Sequence, residues 1–103
     1  MKILAKSRTL AADETAFTKE LLHAEAERVW QLQQAGTIRE IYFTAGGEAV
    51  LVLEAASTAA ARRSLATLPL VRAKLIAFEV DALRAYSGFA RLFAEQPKKP
   101  RRS

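Results

Sequence analysis

Cysteine is absent from this 103-residue sequence, and histidine occurs once, as His23. Those two gaps exclude disulfide frameworks, thiol nucleophiles, iron–sulfur clusters and thiolate zinc sites, and they leave a Ser-His-Asp triad a single imidazole to draw on. No metal-ligand constellation is present, so no metal is expected. Gly46-Gly47 has neither the Lys nor the Ser/Thr of a phosphate loop, and Ser87-Gly88 lacks the hydrolase elbow pattern. No apolar run approaches the roughly 20 residues that cross a bilayer, and the stretch from Met1 to Lys6 is too short for a signal peptide. The expected location is therefore the cytoplasm, with no membrane partner.

The residues that are present suit one small globular domain: half are apolar and 26% are charged. The net charge of +5 belongs to one end. Four of the 16 Lys and Arg are Lys98, Lys99, Arg101 and Arg102, which leaves 12 against 11 Asp and Glu in the rest. Pro97 and Pro100 keep that run from being helical, so a single domain over 1–95 and a disordered basic tail over 96–103 are expected. A basic tail alone supports nonspecific contact with RNA or anionic surfaces, and no specific nucleic-acid partner is expected.

Residues 2–6 read as a short strand, followed by a polar stretch from Ser7 to Thr15. Asp13 or Thr15 then caps a long helix that ends at Ala35, with Gly36 in the left-handed position beyond it. Residues 37–44 and 49–54, rich in β-branched and aromatic side chains, form a hairpin around Ala45-Gly46-Gly47-Glu48. Ser57 caps a second helix to about Thr67, Pro69 turns the chain, and residues 75–83 form the last strand. This order is the ferredoxin-like βαββαβ pattern: an α+β fold with two helices on one face of a four-stranded antiparallel sheet.

Val50, Leu51, Val52 and Leu53 are apolar on both faces of their strand, so the uncovered sheet face needs a partner. A second copy laid sheet to sheet, a dimeric α/β barrel, is the economical cover. Burial by the chain's own C-terminal segment is the alternative. That segment carries Phe89, Leu92 and Phe93 at i, i+3 and i+4, one face of a short helical turn that must dock on its own domain or on a neighbouring subunit.

On the long helix, a wheel placed at about 100° per residue puts Phe17, Leu21, Leu32, Val29 and Leu22 on one stripe. Glu25 and Arg28 fall inside it. A carboxylate turned toward a core is costly unless paired or protonated. Either Glu25 pairs with Arg28 or Arg39 as a packing device, or it is a proton acceptor on the floor of a small pocket between helix and sheet. In the second case arginine and tyrosine side chains would hold an anionic substrate. His23 and Trp30 lie on the far face; Trp30 there points to a subunit contact or to packing over its own neighbours.

Ala24-Glu25-Ala26-Glu27, Leu32-Gln33-Gln34-Ala35-Gly36-Thr37, Arg39, Ala45-Gly46, Leu68-Pro69-Leu70 and Glu79-Val80-Asp81 with Leu83 follow one another in an order that resembles the muconolactone isomerase family over residues 22–84. The resemblance implies a cofactor-free isomerase acting on a small unsaturated lactone or related carboxylic acid from aromatic degradation, assembled as a homodimer or higher oligomer. It also implies Glu25 as the catalytic acid/base, with Arg28, Arg39, Tyr42 and Tyr86 as substrate-binding candidates. The chain departs from the family where a His follows the strand-two Arg, having Glu40 and then Phe43, and where an Arg-His pair follows the last strand, having Ala85-Tyr86. These departures keep open a non-catalytic oligomeric protein that binds a small hydrophobic or anionic molecule.

Overall fold

The computed structural model describes residues 1–93. The basic tail expected over 96–103 lies outside the described residues. Strands β1 (Lys2–Thr9), β2 (Ile38–Phe43), β3 (Ala49–Glu54) and β4 (Ile76–Ala82) form one antiparallel sheet in the order β2-β3-β1-β4. Helices α1 (Lys19–Gln34), α2 (Thr58–Leu65), α3 (Pro69–Arg72) and α4 (Ala90–Phe93) complete the described chain. Side-chain alternation along the strands gives the sheet its two faces. Ile3, Ala5, Leu51, Leu53 and Ile38 are buried against Leu32 of α1, Ala61 and Leu65 of α2, and Leu68. The helices therefore cover one face, as the element order implies.

Several local readings hold in detail. Ala35 ends α1 and Gly36 follows at φ +82°; its N–H donates to the Gln33 carbonyl and that of Thr37 to the Leu32 carbonyl, both at 3.0 Å. That paired closure satisfies two orphan helix carbonyls and needs the left-handed residue that glycine supplies. Ser57 accepts the Ala60 N–H at 3.0 Å as the cap of α2.

Other boundaries differ. Asp13 caps only a single 3-10 turn, Glu14–Ala16, whereas α1 starts at Lys19 with Thr18 as its cap, the threonine hydroxyl accepting the Leu21 N–H at 3.2 Å. The second helix stops at Leu65 and Pro69 opens the short α3, its missing N–H costing nothing at a first helical position. Strand β1 runs three residues beyond Lys6, because Ser7, Arg8 and Thr9 pair with Phe78, Ala77 and Ile76 of β4. Its ladder with β3 ends at Lys6 and Val50; from there the Ser7 hydroxyl, not a backbone carbonyl, accepts the Ala49 N–H at 2.8 Å.

The other sheet face is open. Leu4 lies opposite Val52, Lys6 opposite Val50, and Tyr42 opposite Val50 on the far side, so Leu4, Val50, Val52 and Tyr42 make an apolar stripe there. Lys2, Lys6, Glu40, Glu54, Glu79 and Asp81 share that face around it. Tyr86, Phe89, Leu92 and Phe93 stand 64–83% exposed, and the Tyr86 and Phe89 rings meet edge to face at 4.9 Å. Within the single chain, the C-terminal apolar turn is thus formed but uncovered.

Candidate functional site

Between α1 and the helix-covered sheet face lies a cavity of about 540 Å³, a size that suits a small organic molecule. Its walls are apolar: Leu51 and Ile41 from the sheet, Phe78 and Ile76 from β4, Leu68 and Leu70 from the segment around α3, and Val29 from α1. Leu22, Trp30 and Phe43, all substantially exposed, line it as well and form its rim. The polar lining consists of Ser7, Thr9, Glu25 and Gln33. A second, shallower depression of about 260 Å³ lies between α2, α3 and β4, apolar apart from Arg62 and Lys74.

Glu25 is half-buried on the cavity side of α1, and its Oε1 accepts the Leu70 N–H at 2.9 Å. Leu70 follows Pro69 at the start of α3, whose cap residue Leu68 has no side chain able to accept a hydrogen bond. Glu25 therefore supplies, from another helix, the acceptor that the first turn of α3 lacks. Two influences act on its proton in opposite directions. Desolvation raises its pKa above the ordinary glutamate range and is the larger; the Leu70 bond lowers it. The net shift is upward, which favours the protonated carboxyl.

The expected ion pair is not formed. Arg28 Nε donates to Thr67 Oγ1 at 2.9 Å and its Nη1 to Gln31 Oε1 at 3.1 Å, while Arg39 Nε donates to the Gly36 carbonyl at 2.6 Å. Tyr42 lies on the open sheet face with its hydroxyl donating to Glu40 at 2.9 Å, and Tyr86 lies beyond β4 against Phe89. Of the catalytic and substrate-binding candidates named from the sequence, Glu25 lines the cavity; Arg28, Arg39, Tyr42 and Tyr86 do not. Each arginine instead ties down a chain reversal, Arg28 at the end of α2 and Arg39 at the end of α1. Ser7, Gln33 and Phe43 were missed, and Trp30, placed by the helical wheel on the far face, lines the cavity instead. Ser7 shares strand parity with Ile3 and Ala5, a signal that the polar run Ser7-Arg8-Thr9 hides. Trp30 is 61% exposed and contributes to the lining from the outer edge of α1. No cluster of potential metal ligands occurs among the described residues.

A model of the muconolactone delta-isomerase family matches residues 7–88. The chain belongs to the muconolactone delta-isomerase family. Among solved structures, muconolactone isomerase is similar at 29% identity and a TM-score of 0.70, over 84% of this chain and 92% of that one. The 5-chloro-2-hydroxyhydroquinone dehydrochlorinase of Burkholderia phenoliruptrix, solved with 2,5-dihydroxybenzoquinone, has a TM-score of 0.68 at 16% identity over 85% of this chain and 98% of that one. At that identity the second likeness concerns the fold alone. Among curated proteins, none matches. The four-stranded sheet and its single layer of helices are thus those of the muconolactone isomerase fold.

Proposed function

We propose that this member of the muconolactone delta-isomerase family is a cofactor-free isomerase that moves a proton on a small unsaturated lactone or related carboxylic acid, with Glu25 as the acid/base. The observation that carries the reading is the position of Glu25, among the described residues the one ionisable side chain in the lining of a mostly apolar cavity, with its pKa raised by burial. Proton transfer next to a carbonyl needs one group that removes a proton from carbon and returns it to another carbon of the same molecule. It is redox-neutral and asks for no cofactor. The test is incubation of the purified protein with a β,γ-unsaturated γ-lactone in deuterium oxide, followed by proton NMR. Migration of the double bond with deuterium at the new C–H position is expected. A lactone recovered unexchanged and unrearranged would refute the reading.

A non-catalytic binding protein is the second reading, and one observation favours it: the Glu25 carboxylate already caps α3, a role that requires no chemistry.

The assembly we infer is a homodimer or higher oligomer in the cytoplasm, with the stripe of Leu4, Val50, Val52 and Tyr42 laid against a second copy. Apolar residues at such a density on an open antiparallel face are better covered than solvated. The exposed turn carrying Phe89, Leu92 and Phe93 gives a second adhesive surface. Because these side chains lie outside the core of their own chain, Phe89→Ala with Phe93→Ala is expected to leave the helical circular dichroism intact and to lower the assembled mass in light scattering. Each phenylalanine buried at a contact contributes on the order of 2 kcal/mol. An unchanged mass and melting temperature would mean that the turn meets no other subunit.

A further inference from the structure

We propose, building on the isomerase reading, that the cavity takes an uncharged carbonyl compound and that Ser7 is a further catalytic residue, donating its hydroxyl proton in a hydrogen bond to the carbonyl oxygen while Glu25 moves the proton on carbon. Two independent features of the lining lead there. The first is charge: among the described residues, neither Lys, Arg nor His lines the cavity, and Glu25 is the one ionisable group that does. Arg28 is engaged elsewhere, with Thr67 and Gln31, and Arg39 with the Gly36 carbonyl, while Arg8, between Ser7 and Thr9, has the opposite strand parity and does not line the cavity. A substrate carboxylate would enter an apolar space already holding a carboxylate, with no cation among the described residues to meet it. A neutral lactone or enone meets no such penalty.

The second feature is Ser7. It is 9% exposed, the one polar residue buried in the core among the described residues, and it lines the cavity. Its oxygen accepts the Ala49 N–H at 2.8 Å, which fixes the oxygen in place where the β1–β3 ladder stops. The hydroxyl proton has no acceptor among the described residues. A buried donor held by its own acceptor bond, and left with its proton to give, is preorganised for an oxygen on which negative charge develops. Atoms and electrons balance without any co-reactant. The Glu25 carboxylate takes a proton from the carbon next to the carbonyl, the C–H electron pair becomes the enolate double bond, and the Ser7 hydrogen bond stabilises the enolate oxygen. Glu25 then returns the proton to the γ carbon, the double bond shifts, and the hydroxyl keeps its proton throughout.

The experiment uses two probes at pH 8, an alkyl-substituted β,γ-unsaturated γ-lactone and the same ring carrying an acetate side chain, with binding followed by ligand-observed NMR and turnover by deuterium incorporation. The neutral probe is expected to bind at least 10-fold more tightly. Ser7→Ala is expected to lower its kcat by about 10² with KM little changed, and Ser7→Thr, which keeps the hydroxyl, to restore most of the rate. Equal or tighter binding of the carboxylated probe would overturn the uncharged-ligand inference while leaving the isomerase reading standing. Full kcat in Ser7→Ala would overturn the role of Ser7. Exchange with neither probe would overturn the isomerase reading and the role of Ser7 together, and the ratio of affinities would still decide the question of charge. Binding of neither probe at millimolar concentration would overturn the whole proposal.

Discussion

Leu51→Asp is expected to unfold the chain, whereas Val52→Asp one residue away is expected to leave it folded and to dissociate it. Leu51 is 2% exposed, between β2 and β1 on the helix side of the sheet, where it also lines the cavity. An aspartate there would bury an unpaired charge, at a cost of several kcal/mol. Small domains have only about 5–15 kcal/mol in total. Val52 faces the other way, between Leu4 and Glu40 on the open face. A charge there is hydrated in the single chain and becomes costly only when a second copy covers it. Circular dichroism and light scattering on both variants separate the outcomes. A folded Leu51→Asp would show the strand register to be shifted by one residue, and a Val52→Asp protein of parental mass would show that this face takes no partner. If both variants unfold, with the parent's melting temperature rising with its concentration, folding and assembly are a single step.

The contrast between these neighbours marks how far the sequence could be read. Element order followed from strong local signals: Gly36 past a helix end, Gly46-Gly47 between two apolar strands, Ser57 before an alanine-rich helix and Pro69 after it. Those signals act over a few residues, and the structure keeps them. The start of α1 was less legible because Asp13 and Thr15, the caps expected, and Thr18, the cap found, all have cap chemistry; Thr15 lies inside a 3-10 turn, while Asp13 and Thr18 open segments. Those two differ only in the length of the segment they open, a single 3-10 turn for Asp13 and a 16-residue helix for Thr18. At the site, helical periodicity placed Glu25 correctly toward the sheet, since that depends on spacing alone. Its partner could not be read from spacing, because the Leu70 N–H lies 45 residues away and belongs to the backbone. For the same reason arginines near the stripe looked like anion holders, when the turns they close offered them nearer acceptors. Ser7 was hidden by composition: a polar run reads as loop, although the alternation of Ile3 and Ala5 carries on through it.

Glu25→Gln is expected to lower turnover by about 10²–10⁴, the range for loss of a general acid/base, while the fold is kept. Glutamine can still present an oxygen to the Leu70 N–H, so α3 remains capped, but it cannot accept a proton from carbon. The variant also removes a titration. Burial holds the Glu25 pKa above the ordinary glutamate range, so the native state binds that proton more tightly than the unfolded chain does. The resulting stability is fully present below the unfolded carboxylate pKa and is lost as the pH rises through the higher native one. Glutamine does not titrate, so the stability of Glu25→Gln relative to the parent should increase across that interval and level off above it. Urea unfolding at a series of pH values reads this directly. Glu25→Ala removes the same titration but also strands the Leu70 N–H, so it should lie about 1 kcal/mol below Glu25→Gln at every pH. The pair of variants therefore separates the two roles of this carboxylate. Loss of turnover in both, with stability lost only in the alanine variant, means a proton carrier that also caps a helix. Full turnover in Glu25→Gln means that the cap is its whole purpose.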